Sequence, residues 1–184
     1  VSLVVLAPTV GYLANRRPAP LDFAAHDFVL LTDVDNQTGD RLLDRSLATA
    51  FLVSLEQSRQ VNVYPRARAA ETLGRMKKPD AKIDEAVGRE ICLRDGIRGL
   101  LSLSVVGTGR EYAVSGRLVE PQTGSVVRSR IRYAENRDQL LPALRLLATD
   151  IRTDLGESLS VIARRNSELQ RATTGSLEAL SLYS

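Results

Sequence analysis

The sequence predicts an α/β fold in which helices pack on a mixed five-stranded sheet, with elements in the order β-α-β-α-α-β-β-β-α. Two strongly apolar runs, at residues 28–31 and 100–106, are typical of strands buried between layers of helices. Residues 121–124 read Pro-Gln-Thr-Gly and predict the turn of an antiparallel hairpin. Right-handed crossovers make the first three strands parallel and adjacent, so the sheet combines three parallel strands with the hairpin.

The rest of the chain is arranged around residues 28–58. The apolar run at 28–31 leads into a segment rich in Asp, Asn, Thr and Gly. These residues favour tight turns, because Asx side chains bond nearby amides and Gly tolerates positive φ. A helix follows, since its inward-facing residues recur at helical spacing. This stripe consists of Leu43, Leu47, Ala50, Phe51, Ser54 and Leu55.

The remaining elements follow from apolar periodicity and from residues that begin or end helices. Pro65 suits the start of one helix, and Gly96 suits the C-terminal cap of the next. Cys92, the single cysteine, shares an inward-facing pattern with Val87 and Ile91, so we interpret it as a core residue. The predicted segments are a strand at 61–64, helices at 65–76 and 84–94, a strand at 100–106, hairpin strands at 112–120 and 125–133, and a helix at 138–155.

The hairpin turn also predicts how its two strands pair. Pairing Glu120 with Ser125 sets Leu118 opposite Val127. Side chains that oppose each other in an antiparallel pair lie on the same face. The apolar residues that this register places on one face are Leu118, Val127, Val114 and Ile131.

The other face of the predicted hairpin is basic. The register sets Arg117 opposite Arg128 and continues with Arg130 and Arg132. Such a surface either binds an acidic partner or lipid headgroups, or keeps the sheet edge from pairing with foreign strands. We treat these four arginines as candidate interaction residues.

The acidic turn after the first strand is the other candidate site. Asp33, Asp35 and Asn36, with Asp40 and Asp44, offer oxygen ligands of the kind that Ca²⁺ and Mg²⁺ prefer. The spacing departs from a calcium loop, because Gln holds the third ligand place, Thr replaces the required Gly, and the last ligand is Asp instead of Glu. Turn formation explains these residues without a metal. We predict no metal and keep Asp33, Asp35 and Asn36 as candidate ligand contacts.

Composition and motifs do not indicate an enzyme. The only histidine, His26, precedes the first strand, and no pattern aligns it with a nucleophile. The glycines at 107–109 precede a strand, whereas a phosphate-binding loop opens a helix. The net charge is +3, but the basic residues are interspersed with acids and only 4% of residues are aromatic, which argues against a nucleic-acid surface. We predict no catalytic residue, no cofactor and no nucleic-acid partner.

The chain begins within an apolar segment that ends at Arg16 and Arg17. It is shorter than the roughly 20 residues of a full membrane span, so we expect the tail of a transmembrane helix. The alternative is a pro-segment that is merely apolar. The two arginines favour a cytoplasmic position for the domain after them. The predicted divisions are the tail at 1–17, a linker at 18–26, the α/β domain at 27–163, a second linker at 164–173 and the start of a further helix at 174–184.

Five runs of this sequence resemble one arrangement in larger proteins. They are LLTDVDNQTGDRLLDRSLATAFLVSLEQS, VNVYPRARAAETLGRM, REICLRDGIRGLLSLSVV, YAVSGRLVEPQTGSVV and TTGSLEALSLYS. The runs resemble the domain between the transmembrane helix and the tetratricopeptide repeats of bacterial regulators that carry a serine/threonine kinase or a winged-helix domain. The α/β unit is also similar to the amino-terminal domain of TolB-like periplasmic proteins.

The resemblance implies a periplasmic domain anchored in the inner membrane, although the arginines after the apolar segment favour the opposite side. It also implies that residues 174–184 open the first tetratricopeptide repeat. The shared motifs are structural and identify no ligand. The kinase signatures are absent from this sequence, so no catalytic residue is carried over.

These observations favour a non-catalytic extracytoplasmic domain that senses a small ligand or binds a protein partner. Recognition would use a sheet edge or the carboxyl ends of the parallel strands near residues 33–36, where open sheets bind ligands. Two alternatives remain. One is a small hydrolase or nucleotide-binding enzyme that uses the acidic turn from Asp33 to Asp44, and the other is a purely structural spacer.

Overall fold

The computed structural model describes residues 21–40, 42–58, 60–108 and 110–164. The predicted membrane tail, the linker that begins at 164 and the repeat helix fall wholly or almost wholly outside these ranges. Within them, no helix combines the length and the apolar character needed to cross a membrane. The elements are β1 (Asp27–Leu31), β2 (Asp35–Gln37), α1 (Leu42–Glu56), β3 (Val61–Val63), α2 (Arg66–Arg75), α3 (Glu85–Asp95), β4 (Gly99–Thr108), β5 (Glu111–Val119), β6 (Val126–Ala134), a 3-10 turn (Arg137–Gln139) and α4 (Leu140–Asp154).

The strands form one mixed sheet in the order β3-β1-β4-β5-β6, and β2 pairs with β4 beyond the end of β1. The predicted α/β class is confirmed. So are the three adjacent parallel strands β3, β1 and β4 and the antiparallel hairpin of β5 and β6. The sheet has six strands instead of five, because Asp35–Gln37 lie beside Ser104–Val106 as a short parallel strand. The residues predicted to be only a turn therefore prolong the path of β1 along β4.

Helices cover the two faces of the sheet with separate cores. On the first face, α1 and α4 pack over the sheet; on the second face, α2 and α3 pack over β1 and β4. The predicted stripe of α1 is confirmed, since its main residues are buried in the first core. Those residues are Leu43, Leu47, Phe51 and Leu55.

Cys92 lies in the core of the second face, as predicted. Burial, and to a lesser degree the nearby Asp95 carboxylate, raise the pKa of the Cys92 thiol to about 12. The thiol therefore stays protonated near pH 8, where an exposed cysteine is partly ionised and nucleophilic. We expect Ellman's reagent to leave the folded protein unlabelled and to react once a denaturant is added. Rapid labelling of the folded protein would contradict this placement.

The register of the hairpin differs from the prediction by one residue. The amide of Glu120 donates to the carbonyl of Ser125 over 2.9 Å, as expected. Next to the turn, however, the register shifts between Val119 and Leu118, so that Leu118 pairs with Arg128. Such a shift is a β-bulge, which accommodates one extra residue in one strand. Beyond it, each side chain of β6 lies on the face opposite to the one that the unshifted register predicts.

The bulge has two consequences for the apolar residues of β6. Val127 still packs against the first core together with Leu118, so this part of the prediction is confirmed. Ile131 is on the opposite face and 49% exposed, because Val114 pairs with Arg132 instead. The expectation that Ile131 faces the core beside Val114 is therefore wrong.

Candidate functional site

Asp33, the first predicted site residue, lies between β1 and β2 and ties three segments together. One carboxylate oxygen accepts a hydrogen bond from the amide of Ile83 over 2.7 Å. The other pairs with the Arg66 guanidinium at the start of α2. The Asp33 amide donates in turn to the carbonyl of Ile83 over 2.8 Å. Asp33 therefore positions Arg66 and the segment before α3.

Asp35 and Asn36 point away from this junction into local turn bonds. Asp35 accepts from the Gln37 side-chain amide over 2.7 Å. The Asn36 side chain accepts from the Thr38 amide over 3.0 Å and donates to the Asp40 carbonyl over 2.8 Å. Among the described residues, no group of three or more His, Cys, Asp or Glu side chains is arranged to hold a metal ion.

These contacts predict unequal roles for the first two acidic residues. Replacing Asp33 by alanine removes the bonds to Arg66 and Ile83, and we expect it to lower the free energy of unfolding by about 1–2 kcal/mol. Replacing Asp35 by alanine removes one exposed bond, so a change within about 0.5 kcal/mol is expected. Urea unfolding followed by circular dichroism measures both values. Equal losses would contradict the special position of Asp33.

The four candidate arginines do not form one basic face. Arg117 lies on the second face and pairs with Glu85 over 2.6 Å. Because of the bulge, Arg130 and Arg132 lie on the side of α4, where each binds one carboxylate through two nitrogens, from Asp154 and Asp150. These carboxylates raise the pKa values of both guanidinium groups. Arg128 is exposed, and one of its nitrogens donates to the carbonyl of its neighbour Val127 over 2.9 Å. The prediction that these arginines share one basic face is therefore wrong.

The crevice in which open α/β sheets bind ligands is occupied by the chain itself. In such sheets the ligand lies at the carboxyl ends of two neighbouring strands from which the chain continues in opposite directions along the sheet. Here those strands are β1 and β4. In this protein β2 continues from β1 and bonds to β4 at that point. The Thr32 amide also donates to the Leu101 carbonyl over 2.9 Å, which closes the gap between the two segments.

A cleft of about 250 Å³ opens instead between α1 and the carboxyl ends of β1 and β3. It lies on the side of α1 that faces the edge strand β3, so β1 and β3 form one wall and α1 forms the other. The residues that line it are Leu31, Thr32, Asp33, Ala48, Thr49, Leu52, Glu56, Val63, Tyr64, Pro65 and Arg66. Asp33 is the one predicted site residue among them.

Arg66 is the one cationic side chain among the described residues that line this cleft. One terminal nitrogen donates to the Leu31 carbonyl over 3.2 Å, and the other pairs with Asp33. The side chain remains 52% exposed. Partial burial lowers the pKa of the Arg66 guanidinium, which nevertheless carries its charge at neutral pH. The cleft thus combines an apolar interior with a fixed hydrogen-bond donor at its mouth.

Sequence reasoning did not select Arg66, Ala48 or Leu52 as site residues. Leu52 and Ala48 lie beside the main apolar stripe of α1 and are half-buried. Arg66 follows shortly after the predicted strand at 61–64, and a charged residue near the end of a parallel strand is a candidate site residue. This signal alone does not identify the site, because no local pattern shows a cleft between α1 and β3.

The architecture defines a small mixed α/β domain with a cleft of about 250 Å³ at its parallel edge. The C-terminal domain of LpoB from Salmonella enterica has a similar structure, with a TM-score of 0.56 at 16% identity over 61% of this chain and 85% of that one. Lipoprotein GNA1162 from Neisseria meningitidis gives 0.49 at 17% identity, covering 72% and 98% of the two chains. TolB from Acinetobacter baumannii gives 0.48 at 12% identity, covering 73% and 30%.

The similarity to LpoB shows that the two proteins share a fold, and at 16% identity it shows the fold alone. No family model and no curated protein matches the sequence. The tetratricopeptide repeats and the kinase or winged-helix setting stay predictions from the resemblance.

Proposed function

We propose that this chain is a non-catalytic binding domain that acts outside the cytoplasm, as part of a membrane-anchored bacterial signalling or regulatory protein with tetratricopeptide repeats. The observation that carries the binding role is the cleft between α1 and β3, which has an apolar lining with a few polar side chains, among them Arg66 and Asp33. Binding sites commonly have this composition, with a few fixed polar groups that orient the ligand.

The contacts of the acidic turn favour binding over hydrolysis or nucleotide chemistry. Asp33 uses both carboxylate oxygens in structural bonds, and Asp35 and Asn36 bond to neighbours within the turn. A general base needs an oxygen that can meet the substrate, and Asp33, the acidic residue of the turn that lines the cleft, has both oxygens engaged. We infer that Asp33 serves to shape the loop between β1 and α1.

The extracytoplasmic position rests on the resemblance to the domain that precedes tetratricopeptide repeats. Protease digestion of spheroplasts that contain the native full-length protein tests it. We expect the domain to be cleaved in intact spheroplasts. Protection until the membrane is lysed would place the domain on the cytoplasmic side.

Photo-crosslinking in the native cell tests the binding role. Thr49 lines the cleft and is exposed, so a photoreactive amino acid there is expected to label whatever occupies the site. Glu71, exposed on α2 and outside the cleft, is the control position. Adding Ala48→Phe, which fills the cleft, is expected to abolish the Thr49 adduct. Two results would favour a structural spacer. One is equal labelling at positions 49 and 71, and the other is a Thr49 adduct that persists in the Ala48→Phe variant or never forms.

A further inference from the structure

We propose that the cleft binds a small apolar monocarboxylate, with its carboxylate on Arg66 and its apolar body between α1 and β3. The inference rests on the proposed function, because it names the ligand class of the same cleft. Three properties support this choice: the hydrogen-bond donors at the mouth, the apolar interior, and a second acidic side chain on the α1 side.

The ion pair of Arg66 and Asp33 presents donors to an incoming ligand. A guanidinium has five N–H groups in a planar fork. In Arg66 one terminal nitrogen bonds the Leu31 carbonyl and the other bonds Asp33. Both oxygens of Asp33 are already engaged, by Arg66 and by the Ile83 amide. The five N–H groups of this half-exposed guanidinium exceed the two bonds that it makes within the protein, and a carboxylate is the acceptor that suits those that remain.

The N-terminus of α2 adds partial positive charge on the same side of the cleft as Arg66. Arg66 is the first residue of α2, and Pro65 before it offers no side-chain cap. The first turn of α2 contains no acidic residue. The partial positive charge of the helix N-terminus is thus not neutralised by its own side chains, and it adds to the attraction of Arg66 for an anion.

The interior of the cleft favours a small and apolar ligand. Ala48 and Leu52 of α1 and Val63 of β3 supply apolar side chains to its lining. A volume of about 250 Å³ corresponds to about eight water-sized groups at about 30 Å³ each. It suits a molecule of about eight to ten non-hydrogen atoms, such as hexanoate or phenylacetate.

A second carboxylate on the ligand is disfavoured. Glu56, at the end of α1, also lines the cleft and is exposed. A dicarboxylate with one end on Arg66 brings its other negative end toward the α1 side. Like charges repel, so Glu56 disfavours a second carboxylate on the ligand, whereas the first carboxylate is held by direct bonds to Arg66. The carboxyl terminus of a peptide carries the same group, but β3 has only three residues with which to pair an extended chain, which favours a free acid.

Nuclear magnetic resonance titration of the whole chain tests the proposal, with hexanoate, hexan-1-ol and adipate as probes. We expect hexanoate to shift the amide signals of cleft residues saturably and to bind at least tenfold more tightly than hexanol or adipate. Arg66→Gln is expected to weaken hexanoate binding about tenfold and to leave hexanol unchanged. Arg68→Gln, which removes the same charge two residues further along α2 and outside the cleft, is expected to bind hexanoate like the parent protein.

Ala48→Phe keeps Arg66 and fills the cleft, so it is expected to abolish hexanoate binding even if Arg66→Gln proves unstable. The proposal is overturned if hexanol binds as tightly as hexanoate, if the shifted signals lie elsewhere, or if the two arginine variants behave alike. Tighter binding of an acetylated peptide with a free C-terminal leucine would also overturn it, in favour of a chain terminus. If no acid binds but the Thr49 adduct persists, the ligand class fails and the binding function stands; if both fail, the binding function fails too.

Discussion

Replacing Arg152 by methionine is expected to lower the free energy of unfolding by about 3–5 kcal/mol. Arg152 is only 2% exposed and binds Glu157, itself 5% exposed, through two hydrogen bonds of 2.8 and 2.9 Å. A further bond of 3.3 Å reaches the carbonyl of Gln57 at the end of α1. Removing the cation takes two charge-assisted hydrogen bonds away from a buried carboxylate. Urea unfolding at about pH 7 measures the loss.

Two comparisons separate the cost of breaking this buried ion pair from the net contribution of the pair to stability. Replacing Arg152 and Glu157 together by methionine and leucine removes both charges, so the double variant is expected to recover most of the lost stability. Arg94→Met breaks an exposed i,i+4 pair with Glu90 and is expected to cost less than about 1 kcal/mol. A loss for Arg152→Met no larger than that for Arg94→Met would contradict the burial of this pair.

Truncating Phe51 to alanine is expected to cost about 3–5 kcal/mol, because it empties a large space in the core under α1. Phe51 is 0% exposed and belongs to the core formed by α1, α4 and the first face of the sheet. The cost combines the lost burial of the ring with the cavity that remains where rigid strands cannot collapse. Thermal or urea unfolding measures it, with two-state behaviour checked by two probes.

Val53 provides the matched control on the same helix. Its side chain is 51% exposed, so Val53→Ala removes little buried surface and is expected to change the stability by less than about 0.5 kcal/mol. Because both changes are made on α1, they affect helix propensity in similar ways. If the two variants lost equal stability, the orientation of α1 would have to be different.

Phe51 and Arg152 differ in how far they could be predicted. Phe51 lies on a helical stripe that is visible in the sequence, so its burial follows from the spacing of apolar residues. Arg152 is a charged residue of the kind that usually lies on the solvated side of a helix. Its partner Glu157 lies beyond the end of α4. Its burial depends on the chain turning back at Gly156, where φ is +100°.

The candidate site, too, combines a feature that the sequence reveals with features that depend on the tertiary structure. The composition of its turn marks Asp33 as a candidate, but the role of Asp33 depends on contacts with Arg66 and Ile83, which are far along the chain. The cleft lies where α1 meets the carboxyl ends of β1 and β3, so it depends on how these distant segments pack. No local pattern in α1 or β3 records this cleft.

The amino-acid pattern alone established the α/β class, the helices, the three parallel strands and the buried stripe of α1. Those features depend on neighbours within a few residues, which repeat at the spacing of a strand or a helix. Tertiary pairing decided the rest: the extra strand β2, the bulge that turned Arg130 and Arg132 toward α4, and the cleft at Arg66. A shift of one residue in pairing reverses every side chain of a strand, and its energy lies in contacts between distant segments that local spacing does not encode.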